Sequence, residues 1–445
     1  MFLLKNTPPE QSGGEDAMKG KKEKLGLIFF PAYDWAISDY HPEREERLLY
    51  THDQLMEEGI FDFPGIKEYR PIAATAEDVL RVHICPPGVD KVAAAPHLIS
   101  AGGAITAGRL WANKEVDKAF ALVRPPGHHA TLVVHGGRGF CNINNEAIMI
   151  EKLREEFGIK KVAIVDTDCH HGDGSQDIYW HDPDTLFISI HQDGRTLYPG
   201  TGDITEMGGP KAWGATINIP LPPATGDEGF LRATRQIVRP LLDEFQPELV
   251  VNSAGQDNHF TDPITNMKLT ARGYAEMSAI INPDVAVLEG GYAIQGALPF
   301  TNMAIIMSMA GLDWRKVNEP MPSQGPPTTD PRVLDYIDAL TESIMEMRAN
   351  PKPEKSGSVL RNGWWQRDRR IFCDTHPVTR DLEGMWPSYL NEHRKESLRD
   401  CPDCPGLLVV ETSSEVCKGG KYFKLPRQAC DKCKSLAAQV NYPLG

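Results

Sequence analysis

Residues Lys161-Val-Ala-Ile-Val-Asp-Thr-Asp-Cys-His-His-Gly-Asp-Gly174 change character at one point. Lys161–Val165 is a strand candidate: after the lysine it is an unbroken apolar run rich in β-branched residues, which suits a strand covered on both faces. The next eight residues, Asp166 to Asp173, hold three aspartates and two adjacent histidines. One reading is that these are turn and helix-capping residues. The other is a metal site, because so many polar groups in a small space are costly to desolvate without a cation. Asp166 and Asp168 are two apart, so an extended chain puts them on one face, with His170 next in the series.

Other strand candidates end in the same way. Ala119–Val123 runs into Arg124-Pro-Pro-Gly-His128-His129, and Thr185–Ile190 runs into His191. Leu249–Asn252 runs into Ser253-Ala-Gly-Gln-Asp257, and Val285–Leu288 into Glu289-Gly-Gly-Tyr292. Leu25–Phe30 and Thr216–Ile219 complete the set. Helix patterns alternate with them over 42–58, 100–111, 145–157, 227–244 and 270–281. Such alternation predicts an α/β fold with a mainly parallel sheet and helices on both faces. In an open sheet of this class, ligands bind at the carboxyl ends of the strands. Five strand ends here bring His, Asp or Tyr to that edge.

Imidazole and carboxylate together suit a borderline divalent ion, Zn²⁺ or Fe²⁺. Asp168, His170 and Asp257 would supply three ligands and leave room for water and substrate. Paired histidines such as His128 and His129 serve as acid and base when their pKa values are pushed apart. Each needs a partner for its far ring nitrogen, and Asp166 and Asp173 are available. A phenol at Tyr292, after two glycines, could hydrogen-bond a developing oxyanion. Taken alone, the histidine pair could be a loop accident and the tyrosine a packing residue.

The chain has 445 residues, 41% hydrophobic and 24% charged, as in a globular protein with an ample core. Its net charge of −14 argues against a general nucleic-acid or anionic-membrane binder. Lys5 interrupts the apolar Phe2-Leu-Leu4, so no signal-peptide core is expected, and the uncharged 290–312 stretch reads as a loop and a buried helix. A cytoplasmic location with reduced cysteines is the expectation.

Residues 1–24 read as a flexible tail. Composition changes near 350, after a Pro-rich stretch and a helix over 332–348. Residues 351–445 are net positive and hold six of the nine cysteines. The expected organisation is a tail at 1–24, a catalytic domain at 25–350 and an extension at 351–445, separated by a linker at 350–358.

The ordered motifs Arg124-Pro-Pro-Gly-His-His-Ala130, Gly139-Phe-Cys-Asn142, Asp166 to Gly174, Tyr198-Pro-Gly-Thr-Gly202, Ser253-Ala-Gly-Gln-Asp257 and Leu288-Glu-Gly-Gly-Tyr292 resemble the histone deacetylase superfamily. That superfamily includes acetylpolyamine amidohydrolases and acetoin-utilisation proteins. The resemblance runs from about Leu25 to Leu312. It implies an arginase-like α/β fold and zinc-dependent amide hydrolysis. By motif, Asp168, His170 and Asp257 match the zinc ligands, and His128 and His129 the tandem histidines, with His129 as general base and acid. Asp166 and Asp173 match their carboxylate partners, and Tyr292 the residue that polarises the substrate carbonyl. Phe140 and Tyr198 match the walls of an acyl-lysine tunnel. Asp166 and Ser189 match a monovalent-cation site, usually K⁺. One departure is the segment between His83 and Ala101, which is short and carries Asp90 as its sole Asp. Members often present an Asp there that grips the substrate main chain.

The resemblance therefore implies a zinc-dependent deacylase acting on acyl-lysine. A small-molecule amidohydrolase acting on acetylpolyamines or other N-acylated amines is the alternative. A catalytically silent acyl-lysine binding module is a third reading, and an arginase-type ureohydrolase a fourth. The ureohydrolase would need more aspartates after Asp257, where Asn258-His-Phe-Thr261 stands.

In the extension, Cys401-Pro-Asp-Cys404 and Cys430-Asp-Lys-Cys433 form two C-x-x-C pairs. Leu407–Val410 and Tyr422–Leu425 between them read as a hairpin. A four-thiolate structural zinc ribbon is expected, with Cys417 as a spare ligand; free thiols or a redox pair are the alternatives. The positive charge and Trp364-Trp365 suit a docking module.

Overall fold

The computed structural model describes residues 22–30, 36, 40–323, 325–374, 390–415, 417 and 419–438. Most of the expected N-terminal tail lies outside the described residues, and the first strand already begins at Glu23.

Eight strands make the main sheet: β1 Glu23–Phe29, β2 Ile66–Tyr69, β3 Val116–Leu122, β4 Val162–Asp166, β5 Thr185–Gln192, β6 Thr216–Leu221, β7 Leu249–Ala254 and β8 Val285–Leu288. Their order is β2-β1-β3-β8-β7-β4-β5-β6. Every neighbouring pair is parallel. The α/β class read from the sequence is the class observed. Only β2 had no counterpart in the sequence reading, because half of its four residues are exposed and no apolar run marks it.

Alternate strand residues go to opposite faces. Leu25, Leu27, Ala163 and Val165 join one apolar cluster, with Leu48, Phe230, Tyr274 and Ile306 from the helices on that side. Ile28, Val162 and Ile164 join the other, with Ala104, Ile105, Ile148 and Leu153 from the helices opposite. The sheet is thus covered on both faces, as its apolar strands require.

The helix expected over 227–244 is divided. Asp227–Ala233 and Arg239–Phe245 are α-helical and Thr234–Val238 is a π-turn. Pro240 stands just after the wide turn; a proline lacks the N–H and crowds the preceding turn's carbonyl.

The extension is larger than a hairpin. β9 Val359–Arg361, β10 Trp364–Cys373, β11 Leu390–Arg399, β12 Leu408–Ser414 and β13 Gly420–Lys424 form an antiparallel sheet in the order β13-β12-β11-β10-β9. A helix, Asp431–Ala438, follows. β10 and β11 escape a hydrophobicity reading because their alternation is between charged residues, Arg367 to Arg370 against Glu392 to Glu396. Leu398, Leu408 and Val410 share an apolar cluster with Val82, Ile84, Ile178 and Tyr179.

Among the described residues no helix is long and apolar enough to cross a membrane.

Candidate active site

The parallel order places the carboxyl ends of β3, β8, β7 and β4 side by side. Asp166 is level with Ser253 of β7 on one side and Ser189 of β5 on the other. The chain beyond each strand end therefore converges on one crevice.

Asp168, His170 and Asp257 meet there, with one possible ligand atom from each within 4.8 Å of the others. His170 Nδ1 is 2.8 Å from Asp257 Oδ2 and 3.1 Å from Asp168 Oδ1. Backbone donors fix the carboxylates: Cys169 N donates to Asp257 Oδ1 at 2.7 Å, and Gly290 N to Asp168 Oδ2 at 2.8 Å. Gly255 and Gly290 leave the room, since a Cβ at either would overlap Asp168 oxygens. Two buried carboxylates this close repel each other unless a cation lies between them. The donor set, two carboxylates and one imidazole with an open side, fits a divalent ion of the zinc type.

The tandem histidines follow β3. His128 Nδ1 is 3.0 Å from Asp166 Oδ2, and His129 Nδ1 is 2.8 Å from Asp173 Oδ1. Both rings are buried and their centroids are 4.0 Å apart. Their proton affinities diverge. Burial alone would lower that of His128, but Asp168 and Asp166 outweigh it and hold the pKa well above the usual histidine value. Burial and the neighbouring His128 charge lower the pKa of His129 to about 3, against the pull of Asp173. His128 thus holds a proton more tightly than the imidazole beside it, the divergence a proton-transferring pair needs.

Tyr292 follows β8, its N–H donating to Asp262 Oδ2 at 2.8 Å. Burial pushes its hydroxyl pKa well up, so the phenol stays a donor. The Phe140 ring meets Tyr292 edge-on at 5.6 Å, and the Tyr198 ring meets His129 edge-on at 5.2 Å. Ser189 lies further along the sheet, its hydroxyl 2.9 Å from His191 Nδ1.

A histone deacetylase domain family matches residues 85–305. A protein named "Probable deacetylase" from Archaeoglobus fulgidus is 47% identical over 327 residues, 66% of this chain and 89% of its own length. The chain belongs to the histone deacetylase family. A histone deacetylase-like amidohydrolase of Pseudomonas aeruginosa is 36% identical over 223 residues, 48% of this chain and 58% of that one. The crystal structure of the HDA15 HD domain superposes with a TM-score of 0.63 and 26% identity, covering 74% of this chain and 96% of that one. This histone deacetylase-family chain is by kinship a deacetylase or amidohydrolase, and so a hydrolase.

The sequence reading of this histone deacetylase-family site missed a buried scaffold behind the histidines. Glu289 Oε2 accepts from the N–H of Gly127 at 2.6 Å and of His128 at 3.0 Å. Arg47 donates to the carbonyls of Glu289 and Gly291 at 2.5 and 2.8 Å, fixing the turn before Tyr292. Glu43 links Arg47 to Arg124, and all three side chains are fully buried. Burial would raise the Glu43 pKa, but the two arginines hold it below the usual carboxylate value. Glu289 stood inside a quoted motif and could have been singled out. Arg47 gave no signal beyond being a charge in a helix.

In the extension, Cys401, Cys404, Cys430 and Cys433 come together. Cys401 Sγ is 3.6 Å from Cys430 Sγ, and Cys404 Sγ is 3.6 Å from Cys433 Sγ. Four thiolates bound tetrahedrally at about 2.3 Å stand about 3.8 Å apart, so the cluster fits a closed zinc site. Cys417 is not among them; its N–H donates to the Ser414 hydroxyl at the β12–β13 turn. Asp90 is exposed and paired with Lys91.

Proposed function

We propose that this protein is a zinc-dependent deacylase that hydrolyses the amide of acyl-lysine to a carboxylate and the free amine. The observation that carries the reading is the meeting of Asp168, His170 and Asp257 beside His129, whose ring lies 6.0 Å from that of His170 and whose Nδ1 is 2.8 Å from Asp173.

Asp168, His170 and Asp257 would hold the Zn²⁺, which when bound would supply Lewis acidity to a water and to the amide carbonyl. His129 takes the water proton at Nε2 while Asp173 holds its Nδ1–H and steadies the imidazolium. The same proton passes to the leaving amine. His128 keeps a positive charge next to the reacting atoms through Asp166. The Tyr292 hydroxyl donates to the carbonyl oxygen as negative charge builds there. Phe140 and Tyr198 flank the methylene stem of the substrate. K⁺ beside Asp166 and Ser189 and a second, structural Zn²⁺ on Cys401, Cys404, Cys430 and Cys433 belong to the same reading. So do a catalytic domain over 25–350, an extension over 351–445 and a cytoplasmic location.

A small-molecule amidohydrolase is the second reading, favoured by the short 84–100 segment with Asp90 turned to Lys91. The test is acyl release by the zinc-replete enzyme from an acetyl-lysine peptide and an acetylated diamine, side by side. Faster peptide turnover supports protein or peptide deacylation. Faster diamine turnover replaces it with the small-molecule reading. Silence on both and on longer acyl groups would leave the binding module.

A further inference from the structure

The short helix Asp173–Tyr179 carries the partner of His129 at its first residue and a second buried aspartate, Asp177, one turn later. Both carboxylates are held from the extension. Asp177 receives Arg369 of β10 and Arg394 of β11, the latter at 2.5 Å, besides the N–H of Leu132 at 2.9 Å. Arg369 and Arg394 are directly opposite in the β10–β11 ladder. Two like charges at such a pair repel, so a shared anion is what holds them together.

Asp173 is reached indirectly. Arg138 Nε donates to Asp173 Oδ2 at 3.0 Å and Nη2 reaches the same oxygen. Arg138 Nη1 donates to the carbonyl of Phe372 in β10. The next residue, Gly139, donates its N–H to Asp374 Oδ2 at 3.1 Å, just past the end of β10. Gly139 has φ +52° and lies so close to the His129 imidazole that a Cβ would overlap the ring. His129 is therefore held on two sides, at Nδ1 through Asp173 and along the ring by Gly139, and both holds rest on β10. The far end of β11 is tied to the cysteine cluster, where Arg399 donates to Cys433 Sγ at 3.2 Å.

We infer that the cysteine-rich extension is a working part of the active site, with Arg138 as the positioning residue that transmits its hold to Asp173 and His129. The inference rests on the deacylase reading for its kinetics. Metal in the four-cysteine cluster then supports turnover at a distance, by fixing β10 and β11.

The experiment uses the full-length, zinc-replete protein and the variants Arg138→Gln, Arg138→Lys and Asp374→Ala. Arg138→Gln is expected to lower kcat about 10- to 100-fold with KM changed less than about threefold and the metal at Asp168, His170 and Asp257 retained. Arg138→Lys restores part of kcat, because an ammonium still pairs with Asp173. Removing the cluster metal from the wild type with a thiol-specific mercurial lowers kcat, and removing it from Arg138→Gln lowers it less, since the same linkage is already broken. An Arg138→Gln kcat within twofold of wild type overturns the inference, as does an equal effect of the mercurial on both proteins. Amide hydrogen exchange of residues 126–131 gives a reading independent of turnover. It should rise in Arg138→Gln and Asp374→Ala, and unchanged exchange in both overturns the inference. Asp374 also meets the Tyr198 hydroxyl, so that variant is read by exchange and not by KM. A wild type that hydrolyses no acylated amine would defeat the deacylase reading, and the exchange result would still decide the positioning.

Discussion

Arg394 of the C-terminal sheet donates to Asp177 of the main α/β unit at 2.5 Å, across 217 residues of chain, and both side chains are buried. Burial would raise the Asp177 pKa, but Arg394 and Arg369 drive it far below the usual carboxylate range. Breaking a buried pair strands a charge, which costs about 3–5 kcal/mol. Arg394→Met is expected to lose that much in urea unfolding. Adding Asp177→Asn should recover part of it, since one of the two buried carboxylates that lose Arg394, Asp177 and Glu392, is then neutral. A loss below about 1 kcal/mol for the single variant would show that the pair does not hold the two sheets together.

Removing a metal ligand should remove the metal and the reaction together. Asp257→Ala and His170→Ala are each expected to lower kcat/KM at least about 10³-fold and to lose one metal equivalent by elemental analysis. A chelator strong enough to empty this site should abolish activity, and Zn²⁺ should restore it. Wild-type turnover by a metal-free Asp257→Ala protein would exclude metal-assisted hydrolysis here.

Tyr292→Phe isolates one hydrogen bond. The buried phenol stays protonated, so its hydroxyl is a fixed donor to charge that develops only during reaction. Loss of one such donor costs about 10²–10³ in kcat with little change in KM. A purely raised KM would instead assign Tyr292 to substrate binding.

Two buried histidines away from the metal cluster make stability depend on pH. His83 and His97 have pKa values lowered from 6.5 to about 4, mainly by burial. His83 shows why: its Nδ1 faces the Thr131 carbonyl and its Nε2 accepts from Asn144 N–H, so only the neutral ring satisfies both. Between pH 6.5 and 4 the unfolded chain binds the protons that the folded chain refuses. Stability is therefore present above pH 6.5 and falls as pH drops toward 4, by up to about 3 kcal/mol per histidine. Denaturation midpoints at pH 7 and 4.5 check this. His83→Gln should show a smaller acid loss than wild type, and equal losses would contradict the assignment.

Much of the candidate site was legible because its residues follow strands in short, dense motifs. A parallel sheet sends every strand end to the same edge, so Asp168, Asp257 and His129 can be grouped without knowing a single distance. The scaffold behind them was not legible. Glu43 and Arg47 lie more than 75 residues before the histidines they support, and their sequence context is that of any charged helix. β10 and β11 were missed for a related reason. Their inward positions hold Arg369, Arg394, Glu392 and Glu396, and buried ion pairs leave no hydrophobic period to read.

The sequence by itself determined the α/β class, the strands that carry the motifs and the chemistry of the donor groups. These follow from local pattern: apolar runs make buried strands, and clustered His and Asp demand protons or a cation. Only the tertiary structure decided which carboxylate serves which histidine, that Arg47 fixes the turn before Tyr292, and that the extension packs against the helix Asp173–Tyr179. Each of those depends on groups far apart in the chain reaching hydrogen-bonding distance, and that is a property of packing, which no local pattern of residues encodes.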